Sequence, residues 1–218
     1  ALQSLSAAKL QGFHVDLSDA RILPALLQGQ ALSLDQHEGV IQALVHKDIS
    51  GMRALCQQLP TALGRALQAL VQMHGDIGVL DAARTEFAAW PEVLLALDQL
   101  AWLASHIEHA VSIDLADLRG HAYYTGPRFS VFVTESSDAL VRGGRYDEVG
   151  AIFGRKRPAA GFSLDIKALV ALLPHPRPQA AIRAPWGDDK DLQLAIADCR
   201  AQGHTVVCML PGHDSEVD

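Results

Sequence analysis

At 218 residues, with 49% apolar and 20% charged side chains, the chain is long enough for one large domain or two small ones. It is apolar enough to bury a core, which excludes a disordered protein. Its 18 basic residues are outnumbered by 25 acidic ones, giving a formal net charge of −7, a poor match to a phosphate backbone, so no nucleic-acid partner is expected. No apolar run approaches the roughly 20 residues that span a bilayer, because Gln, Asp, Arg or His breaks every stretch of Leu and Ala. A membrane partner is therefore not expected either.

Residues 1–10 read as the tail of an amphipathic helix, with neither the basic start nor the cleavage site of a signal peptide. The chain is expected to begin inside a domain of a longer protein. Phe13, Val15 and Leu17 alternate with His14 and Asp16, the period of a half-buried strand. Ser18 and Asp19 then offer N-cap chemistry for a short helix that Pro24 enters or kinks. Ser33 and Gln36 have capping-box spacing and open a helix through Val40, Ile41, Leu44 and Val45. Helices over 61–73, 77–87 and 91–106 follow, the last with proline at its start, so that 33–110 reads as a helical block.

After this block the period of two returns. Val111, Ile113 and Leu115 alternate with polar residues, 123–126 and 129–134 are rich in strand formers, and 135–138 is a turn leading to a strand at 139–141. These predict an antiparallel sheet. A short helix over 146–153, a strand over 159–164 and a helix over 165–173 complete it. Three prolines within 174–178 form a stiff linker. About 40 residues beyond it carry one β-α-β unit (180–184, 191–201, 205–210), small for an independent domain and expected to be a truncated one. Cys56, Cys199 and Cys208 lack metal spacing and read as small hydrophobes in a reducing compartment, so the cytoplasm is the expected location.

The densest polar constellation is Arg119-Gly120-His121-Ala122-Tyr123-Tyr124-Thr125-Gly126, followed after one hairpin by Arg142-Gly143-Gly144-Arg145-Tyr146-Asp147. Placed on neighbouring strands, each cluster would turn alternate side chains to opposite faces, so only one of Tyr123 and Tyr124 could line a given pocket. A phenol hydrogen-bonds the polar end of a planar ligand while its ring packs on the face, and Arg offers a fork to carboxylate or phosphate. Gly143 and Gly144 would let backbone approach such a ligand. The same strings also suit a tight bulge with exposed arginines and core tyrosines.

These two strings, with Arg157-Pro158-Ala159-Ala160-Gly161-Phe162-Ser163-Leu164-Asp165-Ile166-Lys167-Ala168-Leu169, resemble the end of the catalytic domain of histidyl-tRNA synthetases and of their relatives, the regulatory subunits of short-form ATP phosphoribosyltransferases. The synthetase signatures run R-G-L-D-Y-Y-T-G and A-G-G-R-Y-D-G, before a third class II motif ending in G-L-E-R. The resemblance is close over 112–173. It implies an α+β fold: part of a class II synthetase-like antiparallel sheet (1–32 and 111–174), a helical insertion (33–110) and a small C-terminal β-α-β piece (179–218).

The resemblance also implies a histidine or anion site at Arg119, Tyr123, Tyr124, Thr125, Gly143, Gly144, Arg145 and Tyr146. Ala122 stands where the synthetases have Asp, and Asp165-Ile166-Lys167-Ala168 aligns with G-L-E-R, putting Ala168 in place of the arginine that steadies ATP. A retained amino-acid side and a lost nucleotide side imply a non-catalytic regulatory subunit rather than a ligase. It would assemble with the short catalytic subunit of ATP phosphoribosyltransferase, pair with itself, pass on feedback from histidine and need no cofactor. The alternatives are a histidyl-tRNA synthetase or divergent aminoacylating enzyme, and a scaffold with a vestigial pocket. Arg155, Lys156 and Arg157 form a basic cluster suited to an acidic partner or to a solvated loop tip. His106 and His109 have one-face helical spacing but no second ligand cluster, so no metal is expected, and His204 and His213 are expected at the surface.

Overall fold

A computed structural model describes residues 1–120, 122–134, 136–174 and 180–212, with the side chains of residues 152 and 153 left out. It divides into two units, Ala1–Leu173 and Pro174–Asp218. The first opens with helix α1 (Leu2–Ala7), strand β1 (Phe13–Asp19) and helix α2 (Ile22–Leu27). β1 runs two residues beyond the expected strand. Ser18 and Asp19 are thereby buried in the sheet rather than capping α2, and the Asp19 carboxylate accepts from the Arg21 backbone and guanidinium instead. Pro24 sits inside the first turn of α2, where its missing N–H costs nothing.

Helix α3 (Leu34–Val45) starts on a complete capping box: Ser33 Oγ accepts from Gln36 N while Gln36 Oε1 accepts from Ser33 N. Helix α4 (Ile49–Cys56), capped by the Asp48 carboxylate, is an element that apolar periodicity did not separate from its neighbours. Helices α5 (Thr61–Leu70), α6 (Val79–Glu86) and α7 (Pro91–Ser105) match the expected runs. The block is not helical throughout, since the two-residue strand β2 (His74–Gly75) lies between α5 and α6. α7 ends at Ser105, so His106 caps it and His109 lies beyond it, its ring tilted against Phe13 with centroids 4.4 Å apart. The two histidines do not share a helix face.

Strands β3 (Ala110–Asp114), β4 (Pro127–Val133), β5 (Val141–Arg145) and β6 (Ala160–Leu164) complete a six-stranded sheet in the order β2-β3-β1-β4-β5-β6. It is mixed rather than antiparallel, because β1 and β3 pair in parallel while the other pairs run antiparallel. The helices between β1 and β3 supply the crossover that a parallel pair requires. Residues 123–126, expected as strand, form no strand, and the expected strand at 139–141 begins only at Val141. Residue 135 of the predicted turn lies outside the described residues. A short 3₁₀ helix (Val149–Phe153) and helix α8 (Ile166–Leu172) end the unit, α8 being capped by Asp165.

One face of the sheet is apolar. Val15, Leu17, Ile113, Val131 and Val141 join Leu63, Leu67, Phe87, Leu97 and Leu100 of the helices in one continuous core. Each such side chain, fully buried, stabilises the unit by about 1.5–3 kcal/mol before chain entropy is counted. The other face alternates to polar residues, among them Asp16, Ser18, Arg128 and Ser130.

The second unit is the expected β-α-β: strand β7 (Ile182–Pro185), helix α9 (Lys190–Ala201) capped by Asp189, and strand β8 (Val206–Met209) parallel to β7. Its small core is Ala184, Ile196 and Val206. Residues 175–178 of the predicted linker and His213 lie outside the described residues. No helix among the described residues is long and apolar enough to cross a membrane.

Candidate ligand-binding site

Strand pairing places two rows of side chains across the polar face. One row reads Ser112, Asp16, Ser130, Arg142 and Ser163 on β3, β1, β4, β5 and β6; the next reads Ser18, Arg128, Gly144 and Gly161. Above the second row lie residues 122–126, which fold back through Tyr123 N and Tyr124 N, both donating to Gly120 O at 2.9 and 3.2 Å. Gly120 takes φ +69°, a conformation other residues adopt only under strain. The loop is stapled to the end of β5: Thr125 N donates to Arg145 O (2.8 Å), and Thr125 Oγ1 accepts from Asp147 N (3.0 Å).

The turn conformation lifts the alternation rule that a strand would have imposed on Tyr123 and Tyr124. All three tyrosines of the chain meet. Tyr123 packs edge-on against Tyr124 (centroids 5.2 Å apart, 85°) and at 5.0 Å from Tyr146. Gly144 and Gly161 are their floor: a Cβ on Gly144 would lie 2.8 Å from the Tyr124 ring, and one on Gly161 would meet the Tyr146 hydroxyl. Burial raises the Tyr124 phenol above its ordinary value, partly opposed by the charges of Arg128 and Arg142, so at neutral pH it is a hydrogen-bond donor.

Beneath the tyrosines lies a buried charge network. Arg128, 5% exposed, donates through Nε to Ser18 Oγ (2.6 Å), donates to the Asp117 carbonyl, and pairs with Asp117 Oδ2 at 2.7 Å. Arg119 grips the same carboxylate with both ends of its fork (2.9 and 3.0 Å), and its guanidinium lies 5.8 Å from the Phe132 ring centroid. Nearby, Lys47 at the end of α3 pairs with Asp114, lining a cleft of about 250 Å³ with Asp117 and Arg119. The helical block thus reaches the polar face.

Of the eight residues singled out from sequence, the polar face brings together Arg119, Tyr123, Tyr124, Thr125, Gly144 and Tyr146. Gly143 and Arg145 alternate to the other side. The space beside Gly143 is taken by Gly161 O, Phe129 and Phe162, and Arg145 is held by Asp147 (2.8 Å). A larger cavity, about 620 Å³ and almost wholly apolar, lies on that other face against Val15, Leu17, Leu103, Phe129 and Phe162. It has the volume for a ligand, but the converging polar groups belong to the opposite face. Sequence reasoning missed Asp16, Ser18, Asp117 and Arg128; a charged residue inside the strand-forming run after Pro127 was the available signal. Ala168 is half-buried against the core, its N–H donating to Asp165 Oδ1 at 2.9 Å. No cluster of His, Cys, Asp and Glu among the described residues could hold a metal ion.

A profile of the family described as histidyl-tRNA synthetase matches residues 1–169, and one described as the ATP phosphoribosyltransferase subunit HisZ C-terminal domain matches 179–218. Proteins named ATP phosphoribosyltransferase regulatory subunit are 54% identical in Albidiferax ferrireducens and 42% in Burkholderia thailandensis, over all of this chain and 57% of each relative. The chain thus spans little more than half the length of these relatives. A crystal structure titled ATP phosphoribosyltransferase regulatory subunit/histidyl-tRNA synthetase from Bacillus halodurans superposes with TM-score 0.71 at 25% identity, over 99% of this chain and 58% of that one. The histidyl-tRNA synthetase from Nostoc shares the fold at TM-score 0.64 and 18% identity, over 96% of this chain and 55% of that one. By sequence over its first 169 residues, and with the fold in agreement, the chain belongs to the histidyl-tRNA synthetase family.

Proposed function

We propose that this chain is part of a regulatory subunit of ATP phosphoribosyltransferase, non-catalytic itself, which assembles with the short catalytic subunit in the cytoplasm and senses histidine at its tyrosine cluster. In this reading 1–32 and 111–174 form the synthetase-like core, 33–110 the insertion and 179–218 part of a separate C-terminal domain. The observation that carries the proposal is the meeting of all three tyrosines over Gly144 and Gly161 on the polar face. Ala168, which the resemblance aligns with the synthetases' ATP-binding arginine, brings no cation for triphosphate. The names of the relatives and the match to the HisZ C-terminal domain support the same reading. Tyr124 and Tyr146 would hold the imidazole end of the ligand, and feedback requires only that histidine bind two states of the assembly unequally, a coupling of typically 1–3 kcal/mol.

The test is calorimetric titration of the full chain, alone and with the catalytic subunit, alongside histidine-dependent pyrophosphate exchange with ATP. We expect heat on adding histidine, a weakened response in Tyr124→Phe and Tyr146→Phe, and no exchange. Exchange activity would favour a ligase. Absence of binding, with inhibition of the mixed complex unchanged in both variants, would leave only a scaffold.

A further inference from the structure

We infer that Arg142 is the residue that takes the α-carboxylate of the amino-acid ligand. The inference rests on the amino-acid reading above and begins with a census of the arginines around the tyrosine cluster. Arg119 is committed to Asp117 through both ends of its fork, Arg128 is buried and satisfied by Ser18 and Asp117, and Arg145 is held by Asp147. Each is neutralised by a carboxylate two to eleven residues away in sequence. The guanidinium of Arg142 has no ion pair or hydrogen bond among the described residues, and it is exposed.

Its position suits the role. Arg142 and Gly144 lie on the same face of β5, two residues and therefore about 6.5 Å apart along the strand. A ligand whose ring lies against Tyr124 above Gly144 extends its backbone end over Arg142. The residues paired with Arg142 are Ser130 on β4 and Ser163 on β6, which bring no competing negative charge; the Ser130 hydroxyl can donate to a bound carboxylate, while that of Ser163 donates to the Arg142 carbonyl (3.4 Å). The nearest carboxylate in the row, Asp16, stands two strands away and accepts from Ser112 Oγ at 2.8 Å. The charge of Arg142 is already felt at the Tyr124 phenol. Finally, the synthetase signature A-G-G-R-Y-D-G has alanine where this chain has Arg142, so this guanidinium is a departure toward anion binding on a face whose other arginines are paired with carboxylates.

Calorimetry on the full chain with L-histidine and L-histidinamide, which replaces the carboxylate with a neutral amide, tests the assignment. The wild type should prefer histidine by roughly tenfold or more, as expected for a charge-assisted forked contact. Arg142→Gln should abolish that preference while leaving histidinamide affinity and the melting temperature unchanged. Arg142→Lys should restore part of the preference, and Arg119→Gln should retain it. If Arg142→Gln still discriminates, or if Arg119→Gln is the variant that loses discrimination, the assignment to Arg142 is wrong although the amino-acid site stands. Should the wild type bind neither compound, the site reading and this inference fail together.

Discussion

Asp117→Asn removes one charge from the network under the tyrosines and leaves the shape almost unchanged. Asp117 and Arg128 have side chains only 8% and 5% exposed, so water cannot replace the lost carboxylate. Breaking one partner of such a pair typically costs about 3–5 kcal/mol. Arg128 keeps Ser18 Oγ and the carbonyl of residue 117 as neutral acceptors, which places the expected loss near the lower end, about 3 kcal/mol. For a unit of this size that lowers the melting temperature by roughly 6–12 °C. The loss also has a pH signature. Burial alone would raise the Asp117 carboxyl, but the hydrogen bond from Arg119 and the charge of Arg128 outweigh it and hold it below the ordinary value. A carboxyl depressed in the folded state contributes stability above its unfolded value, near pH 4, and loses it as the pH falls through the folded value. Urea denaturation of the full chain at pH 7 should therefore show the whole gap between wild type and Asp117→Asn, and the gap should close in stronger acid. The double variant Asp117→Leu, Arg128→Met, which removes both charges, should recover part of the loss. A gap under about 1 kcal/mol at pH 7, or one that persists unchanged in acid, would show that the network adds nothing to stability.

Asp16 behaves with the opposite sign: burial raises its carboxyl, and the hydrogen bond from Ser112 only partly offsets this. Ionised Asp16 therefore costs stability as the pH rises past its unfolded value near 4. Asp16→Asn, whose amide oxygen can still accept from Ser112, should raise the urea midpoint at pH 7 and not at pH 3; equal effects at both would refute the sign. Gly143→Ala should destabilise by about 1–3 kcal/mol, since the new Cβ would lie 2.6 Å from Gly161 O and 2.7 Å from both Phe129 Cζ and Phe162 Cβ. Circular dichroism melts would detect this, and an unchanged Tm would mean that β5 and β6 can separate without cost.

Much of this protein is determined locally and was legible without a structure. The Ser33 and Gln36 box, Pro91 at the start of α7 and the strand alternation around Phe13, Val15 and Leu17 act within a few residues. The ordered tyrosine and glycine strings pointed to a family that the match over residues 1–169 supports. Partners and faces were not legible. Apolar alternation marks β1 and β3 as strands but is silent on their parallel pairing across the whole helical block. Residues 123–126 are strand-forming, yet the hydrogen bonds to Gly120 O and the Thr125 staple win, bringing together two tyrosines that a strand would have separated. Arg128 finds Ser18 from 110 residues away, and among the described residues the Arg142 guanidinium is left without an ion pair because its neighbours across the sheet are serines. Sequence determines which groups can ionise; which of them cancel depends on the register of strands distant in the chain, and only the folded sheet decides that.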